Sequence, residues 1–385
     1  MAWELARANQ GSGLRLEGVR VLDFSRVLAG PLAAMIAGDL GADVIKIEGP
    51  GGDPVRSLAP PYFGNDATYY LAVNRHRRNI VADLRDPKDF RRVEILVAEA
   101  DAVVENFLPS QSAALGIDRL REANPNCVWV SVTPATSDSP LASLPSFDVL
   151  AQAQSGLMGV TGELGGEPMK TGAPLADVIT GLYGAIGLIT GLYARLASRP
   201  GRHFEAPLLE STMSALINQA QGYLASGINP QRLGNDHPSI APYGPVRTQH
   251  GLLMLAVGTD GQYARLIEAL GDELMLMRAE WSKNNQRVVD RDELRTNLDR
   301  VFCSRSTEEW FGILALAKIP YAPILDVAAA FNQPTIHNGD FLGQMDTPNG
   351  RVMAMRSPLK IDGIRPPIRT GPRELGQDNS ELFSF

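Results

Sequence analysis

An α/β protein built on a parallel, doubly wound sheet, with a second and smaller domain nearer the C-terminus, is the fold predicted by these 385 residues. Three observations carry the prediction. Short β-rich runs alternate with helical segments through the first third of the chain, which is the pattern of a parallel sheet. The texture changes from about Gly234 onward to loops rich in Pro, His and Tyr. The length also exceeds what one compact core usually holds. The first strand is "VRVLDF" (19–24), followed by "GPLAAMIAGDLGA", a helix with Pro31 in its first turn that closes at Gly41. "DVIKIE" (43–48) is the second strand and runs into the turn-rich "GPGGDP". "RNIVADL" is a third strand, "PKDFRRVEILVAEA" an amphipathic helix, "DAVVENF" a fourth strand and "CVWVSVTP" a fifth. Past Gly234, the strand-like "GLLMLAVG" and the charged helix "QYARLIEALG" belong to the smaller domain.

Composition narrows the function. A net charge of −7 argues against nucleic acid as a partner. Two cysteines, Cys127 and Cys303, make no disulfide framework, and no Cys/His cluster has metal-ligand spacing. Cys127, inside "CVWVSV", reads as a buried strand residue. The N-terminal "MAWELARANQGSG" lacks the apolar stretch of a signal peptide and reads as a short tail, so a reducing cytoplasm is expected. Val178 to Ala194, uncharged and largely apolar, is the one membrane candidate. It falls short of the roughly 20 residues of a span. Gly181, Gly184, Gly187 and Gly191 also recur at helical steps, so a buried helix that lets another backbone come close is expected.

Asp177 stands alone at the head of that segment. Aspartate is a preferred N-cap, so a plain cap and a chemical role are both open from this stretch alone. Nucleotide signatures are missing where the sheet would place them. "SRVLAGP" follows the first strand without G-x-G-x-x-G, although Glu48 closes the second strand where a ribose-binding acid would sit. Neither a Walker A loop nor a G-x-S-x-G elbow occurs.

Taken in order, several segments resemble the family III CoA transferases. They are "LEGVRVLDFSRVLAGPLAAMIAGDLGADVIKIEGPGGDPVR", "NRHRRNIVADL", "ADAVVENFLP", "FDVLAQAQSGLMGVTG", "GAPLADVITGLYGAIGLITGLYAR", "GNDHPSIAPYGPVRT" and "IPYAPILDV". The likeness covers nearly the whole chain. It implies a Rossmann-like large domain made of residues 14–220 and a returning segment 338–385, a smaller α+β domain at 230–330, and an interlocked homodimer. It implies transfer of CoA from an acyl-CoA to a small carboxylic acid, with CoA thioesters as substrates and no permanently bound cofactor, metal, nucleic acid or membrane partner. Asp177 aligns with the family's catalytic aspartate. Val27, Leu28 and Ala29 align with CoA contacts after the first strand, Ala82, Asp83, Leu84 and Arg85 after the third, Asn106, Phe107 and Leu108 after the fourth, and Thr133 after the fifth. Arg78, in the basic run "NRHRR", is expected to serve the phosphates, as is His76. His237 reads as structural. "GELGGEP", with Gly165 and Gly166, reads as a lid or an ordinary turn.

An aspartate suits this chemistry because attack on a thioester by a carboxylate yields an anhydride, so the activated bond is conserved provided water is kept out. The sequence departs from the formyl-CoA branch of the family, which has arginines where Gly49 and Ala114 stand, and "RPGRHFEA" is about two residues shorter than usual. Two alternatives share the fold: an α-methylacyl-CoA racemase-like isomerase and a catalytically silent CoA-binding protein. The racemases pair their aspartate with a histidine, but "SFD" puts Phe147 at that position, and an apolar ring exchanges no proton.

Overall fold

The five β-rich runs become strands of one parallel sheet, and a sixth joins them. The computed structural model describes residues 15–197, 200–271 and 277–384, so the N-terminal tail lies outside the described residues. The strands are β1 (Arg20–Asp23), β2 (Asp43–Glu48), β3 (Arg77–Val81), β4 (Ala102–Glu105), β5 (Val128–Thr133) and β6 (His203–Pro207). Their order is β3-β2-β1-β4-β5-β6, with every neighbouring pair parallel. This is the doubly wound order whose direction reverses between β1 and β4. Residues such as Val21, Leu22, Ile45, Val103 and Val130 are wholly buried, as strands covered on both faces require. Sequence reasoning missed β6 because its charged, alternating "HFEAP" lacks the apolar run of a central strand, and it pairs on one side only.

Small residues make α1 (Ala29–Asp39) a core helix, buried on nearly every side through Ala33, Ala34, Ala37 and Gly38. α2 (Pro87–Ala98) is amphipathic instead: Asp86 caps it through Lys88 N at 2.7 Å, and Phe90, Val93, Leu96 and Val97 are buried. α3 (Asp148–Gln154) leads to α4 (Leu175–Arg195), the glycine-striped helix. By length and composition α4 is the one described helix able to cross a membrane, but its glycine face is packed. A Cβ on Gly181 would come to 2.8 Å of the Ala29 carbonyl oxygen, and one on Gly191 to 2.4 Å of Val128 Cγ1. Helix α4 thus lies directly on α1 and on β5. Beyond β6 come α5 (Leu208–Ser214) and α6 (Asn218–Ser226).

The edge strand β3 is covered by the far end of the chain. Asp378 accepts from Asn79 N at 2.7 Å, Asn379 accepts from Val81 N at 2.9 Å, and Gly376 N donates to the Asn79 side chain at 2.7 Å. The first two bonds occupy ladder groups that an edge would leave open.

Internal contacts divide the chain into two units. The larger comprises residues up to Met158, Lys170–Ile228 and from Pro334 on, and the smaller comprises Gly159–Met169 and Asn229–Gln333. The expected small domain, 230–330, therefore gains the "GELGGEP" segment. There the Arg232 guanidinium donates to the Gly166 carbonyl at 3.0 Å, and Gly234 N donates to the Gly162 carbonyl at 2.9 Å. In the smaller unit β7 (Tyr243–Thr248), β8 (Gly251–Ala256) and β9 (Tyr321–Pro323) form an antiparallel sheet in the order β9-β8-β7. α7 (Asp260–Ala269), α8 (Arg291–Phe302) and α9 (Thr307–Leu316) pack with it around Leu253, Trp281, Phe302 and Trp310. Capping boxes start α7 at Thr259 with Gln262 and α9 at Ser306 with Glu309. His237 accepts from Ser239 N at 3.1 Å and lies against the Tyr243 ring at 5.2 Å between centroids.

Candidate active site

The carboxyl ends of β1 to β4 open into a cavity of about 310 Å³. Phe24 and Arg26 line it from β1, the Gly49–Asp53 turn from β2, Ala82, Asp83, Leu84 and Arg85 from β3, and Phe107 beyond β4. It lies beside the point where strand order reverses, where ligands of open α/β sheets bind. Five of the residues expected to contact CoA are thus brought together. Arg26, absent from that expectation, has no carboxylate partner among the described residues and sits 5.8 Å from the Phe107 ring centroid. Arg85 pairs with Asp83 at 2.8 Å.

The remaining expected residues do not line the cavity. Val27, Leu28 and Ala29 form the turn from β1 into α1, and Asn106 clamps it by exchanging two hydrogen bonds with the Arg26 backbone, at 3.0 and 2.9 Å. Leu108 begins the next helix, its N–H donating to Gln111, and does not line the cavity. Thr133 ends β5, and its hydroxyl is sealed from solvent with no hydrogen-bond partner among the described residues. Arg78 is a correction. It lies near the amino end of β3, away from the cavity, and pairs with Asp43 at 2.6 Å and Glu381 at 2.7 Å. The rest of "NRHRR" is likewise consumed by the fold. Arg75 holds Asp39 at 2.6 Å, the buried His76 ring lies 3.2 Å from the same carboxylate, and Arg77 holds Asp23 at 3.1 Å. Burial lowers the His76 pKa despite Asp39, so it adds no positive charge for phosphates.

Asp177 is the third residue of α4 and does not cap its own helix. That role falls to Asp148, whose Oδ1 accepts from Ala176 N at 2.8 Å and from Asp177 N at 3.3 Å. Gln152 donates to the other Asp148 oxygen at 2.6 Å, and its own carbonyl accepts from Thr171 N at 2.9 Å. The helix dipole is therefore neutralised by Asp148, and the Asp177 carboxylate is left with no hydrogen-bond partner among the described residues. The residue is 9% exposed, yet neither carboxylate oxygen is among the sealed, unpartnered atoms, so both still meet solvent. Burial, and then the charge of Asp148, pushes its pKa up to about 7. Half-buried Tyr69 is close by. Burial first, then the carboxylates of Asp177, Asp148 and Asp53, push its phenol up to about 12. One turn along the same face of α4, Gly181 lies on the Ala29 carbonyl, so Asp177 overlooks the turn that leads to the cavity.

A lone carboxylate, unbonded and of raised basicity, is a nucleophile or a proton carrier. Likeness to known proteins supplies the reaction class. The model of CoA-transferase family III matches residues 16–379.

The chain belongs to CoA-transferase family III.

It is an enzyme that moves CoA between acyl-CoA and carboxylic acids. It is 36% identical over 362 residues to the succinate–glutarate CoA-transferase of Agrobacterium fabrum, covering 92% of this chain and 88% of that protein. It is 33% identical over 365 residues to the human succinyl-CoA:glutarate CoA-transferase, at 92% and 83% coverage. A solved CAIB/BAIF family protein from Brucella suis superposes with a TM-score of 0.84 at 33% identity, covering 96% of this chain and 98% of the other. Phe147, on the residue before Asp148, is 60% exposed and supplies no second proton-transfer group beside Asp177.

Sequence reasoning overlooked Asp53, Tyr69 and Asp148. Asp148 carries a signal, since it is the acid of "SFD" and follows Phe147 directly. Tyr69, in "DATYY", carries none.

Proposed function

We propose that Asp177 is the nucleophile of this CoA transferase. Its carboxylate attacks the thioester carbonyl of the donor, forming an aspartyl anhydride as the carbon–sulfur bond breaks and CoA leaves as thiolate. The thiolate then attacks the aspartyl carbonyl, giving an enzyme thioester and releasing the donor acid. An acceptor carboxylate reverses the two steps and departs as the new acyl-CoA. The single observation that supports this reading is the unbonded carboxylate of Asp177, a residue only 9% exposed, at the head of an apolar helix. Poor solvation raises its basicity and nucleophilicity, and limited water protects each acyl intermediate. The cavity beyond β1 to β4 supports CoA binding there, with Arg26 for its phosphates. The names of the relatives make short dicarboxylates the leading donors and acceptors.

The same reading includes a homodimer. Leu182, Tyr183, Ile186 and Tyr193 on α4, Met213 on α5 and Leu224 on α6 are between 46% and 76% exposed, an apolar face suited to a second copy.

Incubation with succinyl-CoA and hydroxylamine, read by mass spectrometry, tests the nucleophile. The expected product is a hydroxamate on Asp177. Asp177→Asn is expected to lose at least about a thousandfold in transfer while still binding free CoA. Full turnover in that variant would refute the assignment.

A further inference from the structure

The turn between β1 and α1 contains a conformation that the chain does not adopt unaided. Val27 has φ +72°, in the left-handed region, where a β-branched residue is a real outlier. Such strain persists only where the surroundings over-determine it, and it concentrates at functional sites. Here the surroundings are specific. Asp53 Oδ1 accepts from Val27 N at 3.2 Å and from Val55 N at 3.1 Å. Lys46 Nζ stands 3.0 Å from the other Asp53 oxygen and donates to the Ser25 carbonyl at 2.8 Å. Asp53 and Lys46 are only 2% and 1% exposed. A buried ion pair is an expensive way to cap a short turn, since apolar packing is often as stable. It does, however, fix geometry on both sides of Val27.

We propose that Asp53, with Lys46 as its buried counter-ion, is the positioning residue that holds the strained Val27 turn in the shape that receives CoA beside Asp177. This inference rests on the reading of the site given above and extends it to a residue that contacts no reacting atom. Asp53 and Arg26 line the cavity, while Ala29 at the other end of the turn lies against Gly181, one helical turn from Asp177. Relaxation of Val27 to negative φ would move Arg26 and the start of α1 relative to Asp177. Ligand binding would then weaken without any loss from the nucleophile itself.

The test uses Asp53→Ala, Val27→Gly and their combination in the full-length protein, with Kd for free CoA, KM for acyl-CoA, kcat and Tm measured for each. Asp53→Ala is expected to raise Kd and KM at least tenfold with kcat changed less. Glycine adopts positive φ without steric cost. Adding Val27→Gly should therefore recover at least threefold of the lost affinity without restoring Tm. A purely structural Asp53 would lower Tm with Kd unchanged, or would show no rescue by Val27→Gly, and either result overturns the proposal. If Asp53→Ala does not fold, Asp53→Asn replaces it, since it keeps an acceptor and loses the charge facing Lys46, and the same rescue is required of it. A wild-type protein that neither binds CoA nor forms the Asp177 hydroxamate would defeat the reading of the site. Wild-type behaviour of both together with Asp53 variants that bind normally would defeat only the present inference.

Discussion

At the scale of single residues, the proposed chemistry depends on one carboxylate being left unsatisfied. Asp148 takes the helix N–H groups that would otherwise stabilise Asp177 as an anion; burial first, and then the charge of Asp148, opposes ionisation. The folded protein therefore holds a proton on Asp177 more tightly than the unfolded chain does. Stability from this source is complete below about pH 4, falls as pH rises through about 7, and is constant above that. Asp177→Asn should therefore be more stable than wild type at pH 8, by on the order of 3–4 kcal/mol, with little difference at pH 4. Denaturant unfolding at the two pH values checks this. In the wild type, kcat/KM should rise with pH through about 7 as Asp177 ionises. Asp148→Asn keeps an acceptor for the helix but removes the charge, so the midpoint of that rise should move to lower pH. A profile that does not move would show that Asp148 acts only as a cap. Of these details, the sequence displayed Asp177 and the apolar stretch behind it, but not the distribution of hydrogen bonds. Whether an aspartate in a helix's first turn caps it depends on a residue 29 positions earlier in the chain, Asp148.

Among the secondary-structure elements, the glycine stripe of α4 does the positioning. Glycines 181, 184, 187 and 191 let the helix approach α1 and the sheet closely enough to set Asp177 above the turn after β1. Gly191→Ala drives a methyl group to 2.4 Å of Val128 Cγ1 and 2.9 Å of the Phe204 ring. Alanine's better helix propensity offsets part of the clash, about 1 kcal/mol, and overpacking costs about 1–3 kcal/mol. A fall in thermal midpoint of a few degrees, measured by calorimetry, is the expected outcome. This stripe was readable from its spacing, as were five of the six strands, because central parallel strands must be apolar on both faces. The basic run 74–78 misled for the opposite reason. Local charge density says nothing about the carboxylates that the fold brings to it, and Asp23, Asp39 and Asp43 neutralise it from distant positions.

For the molecule as a whole, the change of texture near Gly234 falls close to Asn229, where the second segment of the smaller unit begins. The membership of Gly159–Met169 in the smaller unit was not legible in the sequence, since it depends on Arg232 reaching back to the Gly159 and Gly166 carbonyls. The apolar outer face of α4 to α6 belongs to this scale too. Ile186→Asp with Tyr193→Asp places charge on that face while leaving the glycine side untouched. Sedimentation velocity should then report a monomer where the wild type sediments as a dimer. A wild-type monomer would remove the dimer from the proposal.

The bonds from Gly376, Asp378 and Asn379 to β3 also govern the order in which the protein can mature. On the ribosome all six strands leave the exit tunnel long before those three residues do. The outermost strand of the nascent sheet must wait through the synthesis of the entire smaller unit with its hydrogen-bonding groups bare. Over that interval the growing polypeptide is vulnerable to strand-to-strand association with its neighbours, and only the arrival of residues 376–379 ends that exposure.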